Sequence, residues 1–201
     1  MGQRGRFIVL EGIDGAGTTT QGKRLASWWE QSSRGEVHLT AEPSSLPIGK
    51  RIREILGGGE LSEHGWQSLA LLFAADRLDH VEHEIEPLLA KGTTVISDRY
   101  TLSSLVYQGL HVDVDWVGTL NRHALQPDLT IWVDVPVHVA MERMTARGNP
   151  TEVYEKERFQ EQVYRGYLEL YEARGVVRVD GLGTPDEVHE KLTSVIKERL
   201  G

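Results

Sequence analysis

Short apolar stretches alternate with amphipathic segments along the whole chain. Stretches rich in β-branched and other apolar residues predict strands at 6–11, 36–41, 93–97, 129–135 and 176–179. Most are apolar at successive positions, which is typical of parallel strands buried on both faces. Helical spacing between them predicts helices at 19–31, 48–56, 64–90, 101–107, 115–125, 138–147, 155–174 and 185–200. The alternation predicts one α/β domain, 1–201, in which helices flank a doubly wound, five-stranded parallel sheet.

A glycine-rich loop joins the first predicted strand to the first predicted helix. Residues 12–19 read GIDGAGTT, which has the glycine spacing of a phosphate-binding loop, G-x-x-x-x-G-K-[ST]. With 21 glycines in 201 residues, roughly two such glycine pairs are expected by chance. The loop is therefore either a phosphate site or a structural turn. Its place before a helix N-terminus, where amides and the helix dipole attract anions, favours the phosphate site.

Thr18 occupies the position of the loop lysine and cannot supply a positive charge. Loss of a charge-assisted hydrogen bond costs about 1.5–3 kcal/mol in binding. Lys23 lies further along the same helix, and we expect it to point away from the loop. Arginines from other segments are the expected replacements.

Polar residues follow the predicted strands at their carboxyl ends, where ligands of such sheets bind. Asp98 and Arg99 follow the third strand, where an acid can hold Mg²⁺ and a guanidinium can bind phosphate. The alternative is an N-cap aspartate beside a surface arginine, and the strand-end position favours function. Glu42 follows the second strand and Arg53 lies on the next helix, a pattern that alone indicates a turn before a solvated helix.

Two helical segments place an arginine one turn from another residue. Phe73 and Arg77 could stack on a flat base and bond its carbonyl, although a core phenylalanine beside a surface arginine is more common. Arg143 and Arg147 precede a Gly-Asn-Pro loop that could act as a lid, or they complete a charged helix end.

Composition narrows the class of protein. The absence of cysteine excludes disulfides and thiolate metal sites and is compatible with a reducing compartment. A net charge of −8 argues against a nucleic-acid polymer as partner but permits a small phosphorylated ligand. The apolar runs are too short for a membrane span or a secretion signal, so we expect a cytoplasmic protein without a membrane partner. His80 and His83 share a helix face without further metal ligands, which predicts a solvated surface.

As an ordered set, these segments resemble the thymidylate kinase family over nearly the whole chain. They are, in chain order, FIVLEGIDGAGTTT, EP after the second strand, F-x-x-x-R, DRY…S…YQG, QPDLTIWVDV and RG…YE. The resemblance implies a P-loop NTPase-type fold with a lid at about 147–155. It also implies phosphoryl transfer from ATP to dTMP with Mg²⁺, giving dTDP, by a homodimer.

The resemblance further implies a role for individual residues. The catalytic residues would be Asp14, Asp98, Arg99 and Arg147, with Thr19 and Asp98 near the metal. ATP would bind Gly12, Gly15, Ala16, Gly17, Thr18, Thr19, Thr20 and Arg143. The acceptor dTMP would bind Glu42, Arg53, Phe73, Arg77, Arg99, Ser103, Ser104, Tyr107, Gln108 and Tyr154. Phe73 would stack on thymine, Arg77, Ser104 and Gln108 would bond its edge, Arg53 and Arg99 would hold the phosphate, and Tyr154 would contact the deoxyribose.

The chain departs from the family pattern in its basic residues. Thr18 replaces the loop lysine, and Gly15 and Val153 stand where the family places a catalytic basic residue in the loop or the lid. Arg147 is the nearest remaining candidate. Three interpretations stay open: an active thymidylate kinase, a nucleotide-binding homologue that has lost phosphoryl transfer, and a kinase for another nucleoside monophosphate. Phe73 and the other predicted contacts of the base and sugar argue against the third.

Overall fold

Five parallel strands form one sheet in the computed structural model, which describes residues 4–145 and 153–201. The strands lie in the order β2-β3-β1-β4-β5. Their bounds are Phe7–Glu11 (β1), Val37–Ala41 (β2), Thr94–Asp98 (β3), Leu129–Asp134 (β4) and Val177–Asp180 (β5). The predicted α/β class, the parallel sheet and the approximate strand positions are confirmed.

The central strands carry the core. Each residue of β1 is buried, and alternation sends Ile8 and Leu10 into the larger apolar cluster and Phe7 and Val9 into the smaller one. The edge strands β2 and β5 are partly exposed, so the expected burial on both faces holds only for the inner strands.

Strand register sets where the functional residues lie. Leu10 of β1 pairs with Asp98 of β3, and Glu11 pairs with Trp132 of β4. The loop after β1 and the carboxyl end of β3 therefore meet at the same edge of the sheet, next to the central strand β1.

Helices cover both faces of the sheet. Their bounds are Thr18–Gln31 (α1), Pro47–Leu56 (α2), Glu63–His80 (α3), Glu86–Ala90 (α4), Thr101–Tyr107 (α5), Val114–Leu120 (α6), Val137–Thr145 (α7), Val153–Leu170 (α8) and Pro185–Leu200 (α9). Side-chain caps define several starts: Ser62 accepts from the Gly65 amide, and Thr184 and Glu187 form a capping box. Within the described ranges, no helix has the length and apolarity required to cross a lipid bilayer.

Three predicted helices differ from the observed ones within the described ranges. The predicted helix 64–90 contains a π-helical turn, Val81–Ile85, ahead of Pro87, which lacks the N–H of a regular ladder. The predicted helix 115–125 ends at Leu120, because the side-chain amide of Asn121 donates to the Val117 carbonyl and closes the last turn.

The third difference concerns the end of α8. The predicted helix 155–174 ends at residue 170, before a short 3-10 turn and Gly175, whose φ is +65°. The predicted helix 138–147 is described over Val137–Thr145, and its last two residues lie outside the described ranges. Residues 146–152, which include most of the predicted lid 147–155, lie outside the described part of the chain.

Candidate active site

The loop between β1 and α1 requires its glycines. Gly15 and Gly17 have φ values of +84° and +94°, in the left-handed region. A Cβ atom on Gly15 would lie 2.4 Å from the carbonyl oxygen of Ala140, and one on Gly12 would lie 3.2 Å from that of Val133. Because β4 and α7 approach the loop this closely, a side chain would not fit at Gly12 or Gly15. The glycine spacing of the loop therefore has a structural reason and is not a chance match.

The amides at the end of this loop are available to a ligand. The Ala16 amide is not among them, because it donates to the Ile13 carbonyl at 3.0 Å. The amides of Gly15, Gly17, Thr18 and Thr19 make no hydrogen bond with any residue of the described ranges. They lie at the N-terminus of α1, which has no side-chain cap, and such a group of donors fits an anion.

Thr19 and Asp98 come together as the metal prediction requires. The Thr19 hydroxyl donates to Oδ2 of Asp98, and Oδ1 is buried without a partner among the described residues. Oxygen ligands of this kind suit Mg²⁺, which typically takes its other ligands from water and substrate phosphates. No cluster of three or more acidic, histidine or cysteine residues suited to a metal occurs in the described ranges.

Asp14 connects the loop to three other elements. Nη2 of Arg99 lies 2.6 Å from Asp14 Oδ1, and the Tyr107 hydroxyl donates to the same oxygen at 3.2 Å. The amide of Gln160 donates to Oδ2 at 2.9 Å, while its carbonyl oxygen accepts from the Asp14 main chain at 3.1 Å. Gln160 was missed by sequence reasoning, because nothing in the sequence near it shows that α8 packs over the loop.

Glu11 supports the Arg99 segment from beneath. Its fully buried carboxylate accepts from the amides of Tyr100 at 3.0 Å and Ser103 at 3.2 Å, and from the Tyr167 hydroxyl at 3.0 Å. Burial raises the pKa of Glu11, and the Ser103 hydrogen bonds and the Arg99 charge oppose that rise. These bonds fix a turn in which Arg99 adopts a φ of +74°. Sequence reasoning missed Glu11, although an acidic residue within an apolar strand could have indicated a buried functional group.

A cleft of about 300 Å³ opens beside Arg99. Its lining residues are Asp14, Glu42, Pro43, Leu56, Trp66, Phe73, Arg77, Arg99, Tyr100, Ser103, Ser104, Tyr107, Gln108 and Phe159. Among the predicted substrate-binding residues whose side chains are described, the cleft brings together all except Arg53. Trp66 and Phe159 were missed, although Trp66 precedes Phe73 by two helical turns. Trp66 stacks on His111 with ring centroids 3.6 Å apart.

Arg77 is buried, so the alternative of a surface arginine is wrong. Nη2 donates to Glu42 at 2.5 Å and to Ser104 at 3.0 Å, and Nη1 donates to Asn121. Its Nε is buried without a partner among the described residues, as is Oε1 of Gln108. The cleft therefore contains one unpaired donor, the Nε–H of Arg77, and one unpaired acceptor, Oε1 of Gln108.

A second cleft of about 450 Å³ adjoins the loop on its other side. It is lined in part by Thr19, Asp98, Arg53 and Lys23. Arg53 donates to the main-chain oxygens of Pro43 and Ser44 and lines this second cleft rather than the cleft of Arg99. Lys23 lines this cleft and also a groove beside Trp28 and His189, so the expectation that it points away from the loop stays a prediction.

The remaining predicted residues are Arg143, Arg147 and Tyr154. Arg143 donates to the carbonyls of Ala16 at 3.3 Å and Gly181 at 3.2 Å, in a groove that Gly17 and Thr20 also line. Arg147 lies outside the described residues. Tyr154 belongs to α8, whose side chains the structure describes only from residue 157 onward.

His80 is fully buried, so the prediction of a solvated surface is wrong for it. The π-helical turn after α3 and the strand β2 enclose the ring, and the exposed face of the helix lies at His83 instead. The helical spacing of two histidines could not reveal which of them faces the sheet.

Comparison with known proteins agrees with this geometry. A sequence model of the family described as thymidylate kinase matches residues 10–192. The chain belongs to the thymidylate kinase family. A protein of Pyrococcus abyssi named a probable thymidylate kinase is 42% identical over 205 residues, which cover 98% of each chain. A thymidylate kinase of Synechococcus sp. (strain RCC307) is 37% identical over 207 residues, which again cover 98% of each chain.

Membership of the thymidylate kinase family confirms the resemblance drawn from the ordered motifs. It does not assign roles to single residues, which remain predictions argued from the contacts above. Family membership therefore does not explain how the loop binds phosphate without a lysine, and the explanation has to come from the geometry of this chain.

Proposed function

We propose that this chain transfers the γ-phosphoryl group of ATP to dTMP, giving ADP and dTDP. The observation that carries this proposal is the ion pair between Asp14 and Arg99, which places the acceptor cleft directly against the anion-binding loop. A donor phosphate at the loop amides and an acceptor in the cleft would then meet at the guanidinium of Arg99.

The acceptor cleft suits a thymine ring. Phe73 supplies a flat apolar face, and the unpaired Nε–H of Arg77 would donate to the 4-carbonyl oxygen. Oε1 of Gln108 would accept from the N3–H group. Arginine cannot accept a hydrogen bond, so the amino group that cytosine carries at C4 would face a second donor.

Phosphoryl transfer asks the protein mainly for position and charge neutralisation. A phosphate oxygen of dTMP attacks the γ-phosphorus, the bond to the bridging β–γ oxygen breaks, and ADP leaves. The amides from Gly15 to Thr19, apart from Ala16, would hold the donor phosphates, Arg143 would lie beside the adenine, and Arg99 and Arg147 would neutralise the transferring group. Mg²⁺, held through Thr19 and Asp98, supplies further charge neutralisation when bound.

Other features of the assembly remain proposals. A homodimer is supported by Leu71 and Leu78, two turns apart on α3 and 49% and 44% exposed. Sedimentation should give twice the mass of 22.6 kDa, and Leu78→Glu should lower the measured mass.

One nucleoside-monophosphate-kinase-like domain, 1–201, is supported by the single sheet. The cytoplasmic location and the absence of nucleic-acid and membrane partners stay predictions.

A coupled assay for ADP over a panel of nucleoside monophosphates tests the proposed reaction. We expect the highest kcat/KM with dTMP and no ADP without Mg²⁺. A higher value with another monophosphate would identify a different acceptor. Thermal stabilisation by dTMP and ATP with no ADP formed would identify a binding protein that has lost phosphoryl transfer.

A further inference from the structure

A line of buried polar groups leads from the acceptor cleft towards the edge strand β2. Arg77 donates to Oε2 of Glu42 at 2.5 Å, and Oε1 of the same carboxylate lies 3.4 Å from Nδ1 of His80. Nε2 of His80 lies 2.7 Å from the Thr40 hydroxyl and 3.5 Å from the Glu84 carboxylate. His80 therefore touches the carboxylate that holds the predicted base-reading arginine, although it lines no part of the cleft itself.

The partners of His80 favour a proton on both ring nitrogens. Nδ1 faces the Glu42 carboxylate, which can only accept. Nε2 lies between the Thr40 hydroxyl, at 2.7 Å, and the Glu84 carboxylate, at 3.5 Å, which can only accept a hydrogen bond. His38 also contacts Glu84, at 2.9 Å, but from the more exposed side.

The surrounding charges point to the same state. The carboxylates of Glu42, Asp76 and Glu84 face the region of His80, and Arg77 supplies a permanent positive charge on the other oxygen of Glu42. Burial alone would lower the pKa of His80, but the hydrogen bond and charge of Glu42, then the charges of Glu84 and Asp76, raise it above its usual value. A buried carboxylate is stable only when it is paired, and a protonated imidazole provides the second pair for Glu42.

We propose that protonated His80 is a positioning residue for recognition of the acceptor base. It holds one oxygen of Glu42 so that the other oxygen holds Arg77, whose remaining N–H is then directed into the cleft. This inference rests on the proposed function, since it assigns the buried network to dTMP binding. Deprotonation of His80 releases one oxygen of Glu42, loosens Arg77 and weakens binding of the base.

Kinetics of His80→Gln test the proposal. Glutamine is neutral but retains a donor for Glu42. At neutral pH we expect the KM for dTMP to rise about tenfold, as for loss of one charge-assisted hydrogen bond, with kcat and the KM for ATP unchanged. In the wild type, kcat/KM for dTMP should fall as the pH rises through the raised pKa of His80, and the variant should lack this decline. Ionisation of dTMP affects the wild type and the variant equally, so it does not contribute to the difference between their pH profiles.

A matched control is available on the same stretch of helix. His83 is exposed, contacts Asp79 at 3.1 Å and lies away from the network. We expect His83→Gln to retain both the wild-type KM for dTMP and the wild-type pH profile. An effect of equal size in both variants would overturn the proposal.

Nuclear magnetic resonance of the intact wild-type chain gives a test that needs no folded variant. With ¹⁵N-labelled histidine, the ring nitrogens of His80 should lose their imidazolium shifts at a pH above the ordinary pKa of 6.5. Because the ring is buried, its N–H protons should exchange slowly with solvent. Because linkage is reciprocal, saturating dTMP should raise its pKa further by about one unit, the equivalent of the tenfold change in affinity. The ring signals of His83 should be unaffected by dTMP.

The outcomes separate this inference from the proposed function. The wild type could phosphorylate dTMP while bound dTMP leaves the pKa of His80 unchanged and His80→Gln binds dTMP as tightly as the wild type. In that case the positioning role is wrong and the proposed reaction stands. A fall in kcat and thermal stability without a change in KM would also reject it, since that is the effect of a purely structural residue. If the wild type neither binds nor phosphorylates dTMP, both proposals fail.

Discussion

Arg99 and Asp14 form an ion pair, with 2.6 Å between Nη2 and Oδ1, that joins the end of β3 to the loop after β1. The same guanidinium donates to the Ser103 hydroxyl at 3.2 Å, so it is held from two sides. A cation fixed in this way needs little reorganisation when charge develops beside it. This relationship explains how a loop without lysine can still have a positive charge near it.

Replacement of Arg99 by lysine should reveal whether geometry or charge alone is required. Lysine keeps the charge but loses the fork that reaches both Asp14 and Ser103. We expect kcat/KM for dTMP to fall about 10²–10³-fold in steady-state assays, as for loss of an oriented donor in the transition state. Arg51→Lys, on an exposed ion pair with Glu54, is the control and should be unchanged. Wild-type activity in Arg99→Lys would contradict a positional role.

The Mg²⁺ requirement should depend on Asp98. In Asp98→Asn we expect the Mg²⁺ concentration for half-maximal rate to rise about 10–100-fold, because a carboxylate near the metal becomes neutral. Asp134→Asn offers a comparison at the end of β4, where the carboxylate pairs with Arg178 at 2.6 Å. The metal titration of that variant should match the wild type. Identical titrations for both variants would place the metal elsewhere.

Addition of the absent ammonium tests what the loop has lost. Thr18 is buried at the start of α1, beside amides that have no partner in the described ranges. We expect Thr18→Lys to raise kcat/KM for ATP about 10–100-fold, the equivalent of about 1.5–3 kcal/mol for a charged hydrogen bond. Lower activity would mean that another group, such as Lys23 or Arg147, already occupies the space.

Thermal stability should depend on pH through His80. Its folded pKa is raised above the ordinary 6.5, so the stabilisation is complete below that value and is lost as the pH rises through the folded pKa. We expect the Tm of the wild type to fall over this range, and the fall to be smaller in His80→Gln. His83→Gln should follow the wild type. Equal slopes in all three proteins would show that His80 stays neutral.

Much of the site was predictable because it lies on local patterns. Gly12 follows β1 directly, Asp98 ends β3, and Thr19 lies in the first turn of the helix after the loop. Parallel strands bring their carboxyl ends to one edge of the sheet. The cleft residues of α5 follow Arg99 at helical spacing. Both sets depend only on local sequence and on a topology that the alternation of elements already indicates.

The missed residues depend on packing between distant segments. Gln160 reaches Asp14 only because α8 lies over the loop, 146 positions along the chain. His80 and His83 have equivalent helical positions in the sequence, and the π-helical turn together with β2 decides that the first is buried. Such contacts are set by tertiary structure, for which a single sequence carries no local signal.

Transfer of labelled phosphate by the wild-type chain tests the central claim most directly. Enzyme at stoichiometric concentration would be mixed with dTMP, Mg²⁺ and ATP labelled at the γ-phosphate, and the nucleotides separated. We predict labelled dTDP in proportion to enzyme, with none from Arg99→Ala purified in the same way. Absence of labelled dTDP from wild-type protein that binds both nucleotides would contradict phosphoryl transfer by a loop without lysine.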